Sequence, residues 1–177
     1  MPTPDNPWQT ISSRIVYQSP WFNLYEDKVI TPSGKPGTYA YPQSPPFVLA
    51  VGYEDEHFVM VRQYRYPLKR IMTEFPGGKI DEDESPLDAA KREFEEETGL
   101  TAKYWKELGV LYDPNHATVF LAEELSQTGS DKMAEEGIVE ALRITWTDID
   151  HMIAANEFTD SKTLACLLLF ERHRATA

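Results

Sequence analysis

Cysteine is nearly absent from this 177-residue chain: Cys166 stands alone. That excludes an intrachain disulfide, and its place inside an apolar helical pattern makes it a buried, inert thiol. Positive charge is also scarce. Lys and Arg number 17 against 29 Asp and Glu, a formal net charge of -12. Such a balance lacks the basic footprint of a protein that grips a phosphate backbone, so no nucleic-acid polymer is expected as partner. Over most of the surface, excess acid serves solubility. No apolar run reaches the ~18 residues of a membrane span. The segment MPTPDNPW has no basic region leading into an apolar one, so no signal peptide, no membrane association and a cytoplasmic location are expected. Internal repeats and low-complexity tracts are missing as well. What remains is a chain that is 41% hydrophobic, with four Trp, nine Tyr and eight Phe, enough for one globular core and a short extra element.

Strand-like runs outnumber helical ones. FNLYEDKVI and TYAYP flank the turn TPSGKPG, a strand, turn and strand. QSPP then breaks the chain, which divides it into an N-terminal β extension, 1–44, and a main domain, 45–177. FVLAVGYE and HFVMVRQYRYP are apolar strands joined by a short acidic turn around Asp55, and KELGVLY, TVFLAEEL and IVEALRITW read as further strands. SQTGSDKMAEEG reads as loop. Thr147 and Asp150 offer a capping box to the short helix TDIDHMIAANE, and Asp160 or Ser161 caps SKTLACLLLFERHR. Strands and helices do not alternate as simple βαβ units. The expected class is therefore α+β, a mixed sheet sandwiched between helices, with the antiparallel extension ahead of it.

A helix ahead of these two is the unusual one. In GGKIDEDESPLDAAKREFEEETGL, Ser85 is a natural N-cap, Pro86 sits at the first helical position and Gly99 supplies the stop. Glu93, Glu95, Glu96 and Glu97 then crowd its last turns. There the macrodipole is negative and each carboxylate costs roughly 0.3–1 kcal/mol. On a helical wheel Leu87, Ala90 and Phe94 form the apolar stripe, and Glu93, Glu96 and Glu97, at i, i+3 and i+4, share a neighbouring face. Glu95 points elsewhere. Two readings fit this face: a solvated acidic surface, or carboxylates gathered around a hard divalent cation, Mg²⁺ or Mn²⁺ rather than zinc.

The wider spacing narrows the choice. From Gly78 the chain reads Gly, five residues, Glu84, seven residues, Arg92-Glu93-Phe94, one residue, Glu96-Glu97, one residue, Gly99-Leu100. This resembles the signature of the Nudix hydrolases, with aromatic Phe94 where an aliphatic is usual. The resemblance implies the Nudix fold and hydrolysis of a nucleoside diphosphate linked to another moiety. It implies that Glu93, Glu96, Glu97 and the Gly78 carbonyl hold the metal and that Glu84 and Arg92 form a structural ion pair. The catalytic base would be Glu96 or Glu97, or else Glu135 or Glu136 of the DKMAEEG loop. VRQYRYP and TEFPGG are similar to the ADP-ribose pyrophosphatase branch, which implies that Arg65 touches the diphosphate and that Glu74 lies near metal and substrate; Arg62 is the weaker candidate, since residues three apart on a strand face opposite sides. The N-terminal strand pair resembles the extra sheet with which that branch forms homodimers and contacts substrate, with Trp8 and Trp21 as base-stacking candidates. Pro114 in LYDPNHATVFLA lies where the branch has a proline, but the glycine and acid that usually follow are absent, so the attached group stays open; His116 sits in the same loop. Three other readings compete: a non-catalytic nucleotide-sugar sensor, an oxidised-nucleotide diphosphatase, and an isomerase, which would need a nucleophilic cysteine in a pocket.

Overall fold

A computed structural model describes residues 7–113, 115–129 and 137–176. The chain forms two compact units, Met1–Pro45 and Pro46–Ala177. The first is an antiparallel sheet in the order β1-β2-β3, from Gln9–Gln18, Asn23–Ile30 and Pro36–Gln43. Two strands are legible in the sequence; the third, β1, is exposed along its whole length and so carries no buried alternation to betray it. The β2–β3 hairpin closes at Gly34, whose φ of 78° is open to glycine at no cost.

In the second unit six strands form one mixed sheet: β4 Phe47–Glu54, β5 His57–Arg65, β6 Arg70–Glu74, β7 Leu100–Asp113, β8 Asn115–Gln127 and β9 Ile138–Thr145. Their order is β6-β5-β4-β8-β7, with β9 antiparallel to β5. β4 and β8 run parallel, Phe47 opposite Ala117 through Gly52 opposite Ala122, and the other pairs are antiparallel. β4 is apolar on both faces because both are covered. Val48 and Ala50 face α1, Pro86–Thr98, through Ala89, Ala90 and Phe94. Leu49 and Val51 face the opposite layer with Met60, Ile149 and Phe170, supplied in part by α2, Trp146–Ala154, and α3, Ser161–Arg174.

Several element ends differ from the sequence reading. β6 is not among the strands expected from the sequence; a 3-10 turn at Tyr66–Leu68 and Lys69 at φ 54° reverse the chain into it. α2 is capped by Thr145 with Asp148 in a reciprocal capping box, two residues ahead of Thr147 and Asp150. Asp160, not Ser161, caps α3 through the Thr163 N–H. Cys166 is buried, and burial pushes its thiol up to about 12, so it has no nucleophilic thiolate at neutral pH. Among the described residues no helix is long and apolar enough to cross a membrane.

Candidate active site

The acidic helix is fixed at both ends by local chemistry. Ser85 Oγ accepts the Asp88 N–H at 3.2 Å and donates its own proton to Asp88 Oδ2 at 2.6 Å. Gly99 ends the helix at φ 67°, its N–H returning to Glu95 O. Between these ends Phe94 is fully buried. It fills the notch left by Gly52 of β4, where a Cβ would come within 2.8 Å of the ring. That docking sets the rotation of the helix and turns the acids toward the loop that precedes it.

The Gly77-Gly78 loop runs along β4. Ala50 N–H donates to Pro76 O, and Val48 N–H donates to Gly78 O, both at 2.9 Å. A Cβ on Gly78 would lie 2.4 Å from the Glu93 carboxyl, so only glycine lets backbone and acid approach this closely. Glu97 Oε2 accepts the Gly77 N–H at 2.8 Å. Both acids are buried, Glu93 at 8% exposure and Glu97 at 6%.

Arg92 organises the remaining charge. Its Nε and Nη2 donate to the two Glu84 oxygens at 2.9 and 2.8 Å. Nη1 donates to Glu93 Oε1 at 2.7 Å and to Glu96 Oε2 at 3.2 Å, and Nη2 also reaches the Lys79 carbonyl at 3.0 Å. One guanidinium thus holds Glu84, Glu93 and Glu96 in a fixed fork. The hydrogen bonds from Arg92 hold the Glu84 carboxyl below its ordinary value, helped by the Asp81 N–H. Glu84 in turn raises Arg92 above the usual arginine range. A carboxylate depressed in the fold adds stability above its unfolded pKa and loses it as pH falls through the folded value. The urea midpoint should therefore drop on acidification through the region below the ordinary carboxylate pKa of 4.5. Arg92→Met should lower the unfolding free energy at neutral pH by about 2 kcal/mol or more, and flatten that acid limb. Equilibrium unfolding of both proteins across that range checks both statements.

The donor chemistry fits a hard divalent cation. All the candidate groups are oxygen donors. Glu93 and Glu96 already meet at one cationic atom, and Gly78 leaves the space beside Glu93 unblocked. In the arrangement described, Glu97 is turned to the Gly77 N–H, and among the described residues no three acid, imidazole or thiol groups are poised together as ligands.

The other candidates fall in separate places. Glu74 of β6 lies opposite Val61 of β5, and Arg65 shares that face by alternation. It is the face on which Val59 packs with Phe94. Arg65 Nε donates to Glu74 Oε2 at 2.8 Å, and Nη2 donates to the same oxygen. Arg62 faces the other way and donates to Glu140 Oε1 at 2.8 Å, in a cleft of about 340 Å³ shared with Arg70 and Glu157. Trp8 and Trp21 belong to the N-terminal unit: Trp8 meets Tyr39 edge-on, and Trp21 is 76% exposed. His116 is exposed, its ring 6.3 Å from that of Tyr112. Glu135, Glu136 and Pro114 lie outside the described residues. Sequence reasoning missed Gly52, whose notch is visible only once β4 and α1 are packed.

The mixed sheet between helices and the acid-bearing helix against a double-glycine loop define a class. The NUDIX domain profile matches residues 44–167, and the chain belongs to the Nudix family. A second profile, the nucleoside diphosphate sugar hydrolase N-terminal domain, matches residues 8–41. The chain is similar to an ADP-ribose pyrophosphatase of Bacillus subtilis (strain 168), 35% identical over 162 residues and covering 88% of each chain. It is also similar to a methanol dehydrogenase activator of Bacillus methanolicus, 27% identical over 94% of each. Its fold matches the crystal structure of an ADP compounds hydrolase at a TM-score of 0.82, with 20% identity, over 93% of this chain and 92% of that one. The fold is thus a Nudix fold with a separate N-terminal antiparallel sheet, and the chain is a Nudix pyrophosphohydrolase. Nudix hydrolases generally use divalent metal ions, in keeping with the all-oxygen donor set.

Proposed function

We propose that this protein hydrolyses the diphosphate bond of nucleoside diphosphate sugars, with ADP-ribose as first substrate and Mg²⁺ as the ion, Mn²⁺ substituting, and that it works as a homodimer. The observation that carries the reaction is the fork of Arg92, which ties Glu84, Glu93 and Glu96 together beside the buried Glu97. Surface ion pairs alone do not call for such crowding. The substrate class is supported by the N-terminal profile and by the name of the Bacillus subtilis relative.

Glu93, Glu96 and Glu97, with the Gly78 carbonyl, would hold the ion. When bound it neutralises charge on diphosphate oxygens. Arg92 keeps two of these carboxylates from splaying apart, and Glu97 would turn from the Gly77 N–H to join them. Arg65, tied to Glu74 by Nε and Nη2, keeps its Nη1 for a phosphate oxygen. Glu96 or Glu97 accepts the proton of the attacking water, with Glu135 and Glu136 as the alternatives. Association is supported by β1, an edge strand exposed over ten residues that carries Ile11, Ile15, Val16 and Tyr17.

Phosphate release, read through a coupled phosphatase, tests the reading over ADP-ribose, other sugar nucleotides, dinucleoside polyphosphates and oxidised deoxynucleotides, with and without Mg²⁺. ADP-ribose should lead and should need the metal. An oxidised deoxynucleotide in first place would move the protein to nucleotide cleansing.

A further inference from the structure

The N-terminal sheet contains a cleft of about 320 Å³ lined by Trp8, Thr10, Asp27, Val29 and Tyr39. Asp27 is 9% exposed, and its Oδ1 is the one buried side-chain N or O atom without a hydrogen-bond partner among the described residues. Its Oδ2 accepts only a long bond, 3.4 Å, from the Tyr41 hydroxyl. A buried acceptor left unmade is costly, and it marks a place that the described residues leave unfilled.

Among the described residues of the unit no cation reaches Asp27. The unit's basic residues are Arg14, Lys28 and Lys35. Arg14 is bonded to Glu26 and Lys28 to Thr38, across the sheet from Asp27, because neighbours along β2 alternate faces. Lys35 lies in the turn after β2. The Asp27 face is aromatic instead. Trp8 meets Tyr39 edge-on at 5.7 Å, Tyr39 lies 6.2 Å from Tyr41, and Tyr41 stacks on Tyr25 at 5.6 Å.

These walls discriminate between occupants. A single water satisfies Oδ1 but takes up only about 30 Å³ of the space. A hard metal ion wants about six oxygen ligands, and the side chains lining this cleft offer one carboxylate and two hydroxyls, those of Thr10 and Tyr39. An organic cation satisfies all its features together: its N–H donates to Asp27, its charge offsets the carboxylate, and its body lies against ring faces that attract cations.

We propose that the Trp8–Asp27–Tyr39 cleft is a binding site for an N–H-donating organic cation, an alkylguanidinium or alkylammonium group, independent of the acidic helix. Such a group is available as a free small molecule or as an Arg or Lys side chain of a second copy of this chain.

The test titrates the full-length protein with ethylguanidinium chloride against sodium chloride at equal ionic strength. The readout is the Trp8 indole N–H resonance, assigned with Trp8→Phe, and sedimentation velocity runs in parallel. A saturable Trp8 shift that weakens at least about tenfold in Asp27→Asn supports the site and a free ligand. No shift in the parent, joined to loss of dimer in Asp27→Asn, supports the site and places the cation on a second copy. If Asp27→Asn fails to fold, Tyr39→Leu, which keeps bulk and removes the ring, should show the same weakening. Equal titration of parent and variants overturns the proposal, as does absence of both a shift and any change in association.

Discussion

Glu97→Gln should lose at least about 10³-fold in kcat while its thermal midpoint stays within a few degrees of the parent. The separation of the two effects follows from the contacts. Glu97 is 6% exposed, and its Oε2 accepts the Gly77 N–H at 2.8 Å. Glutamine has the same volume and keeps an oxygen to accept that bond, so loop and helix hold their places. What disappears is a negative charge among the acids that would hold the ion, and a group able to accept a proton. Steady-state kinetics with saturating Mg²⁺, beside a melting curve, decide it. A kcat within tenfold of the parent would remove Glu97 from the chemistry.

Gly77→Ala should be the most destabilising small substitution in the site, costing more than about 4 kcal/mol. A Cβ there would stand 2.1 Å from the Val48 carbonyl oxygen and 2.9 Å from the Leu49 Cα. Both belong to the backbone of β4, which is buried on both faces and cannot retreat. The loop would have to leave the strand and break the Pro76–Ala50 and Gly78–Val48 hydrogen bonds. Gly78→Ala makes the contrast. The three atoms nearest its Cβ belong to the end of the Glu93 side chain, which can give way at the cost of its Arg92 hydrogen bond. That variant should fold and lose about 10²-fold in kcat by displacing an acid. Urea midpoints of the two variants, measured together, check the ordering. A parental midpoint for Gly77→Ala would mean that the loop is less tightly bound to β4 than its hydrogen bonds indicate.

These two glycines also mark how far the sequence could be read. α1 was legible to the residue, because Ser85, Pro86 and Gly99 act on their own backbone neighbours and need no tertiary partner. The clustering of Glu93, Glu96 and Glu97 follows from helical spacing alone, and the separation of Arg62 from Arg65 follows from strand alternation. β1 was hidden because a strand exposed along its length lacks the alternation that burial imposes. β6 was hidden because it is five residues long and set between a proline turn and a glycine loop. The start of α2 was ambiguous in kind: Thr145 with Asp148 and Thr147 with Asp150 satisfy the same capping pattern, and the chain uses the first. The different burdens on Gly77 and Gly78 were beyond reach, since they depend on which atoms of β4 and α1 stand opposite. The unpaired Asp27 was equally silent, because an aspartate inside a strand reads as a polar residue on the wet face until its neighbours are known.

The central claim is that the acids of α1 make this chain a metal-dependent diphosphate hydrolase. The most direct measurement is a chromatographic time course of ADP-ribose with the parent protein and Mg²⁺, beside the same reaction with a chelator. The account predicts AMP and ribose 5-phosphate in equal amounts, formed only where Mg²⁺ is free. Intact ADP-ribose after incubation with folded protein that binds it would contradict the account and make the chain a nucleotide-sugar sensor.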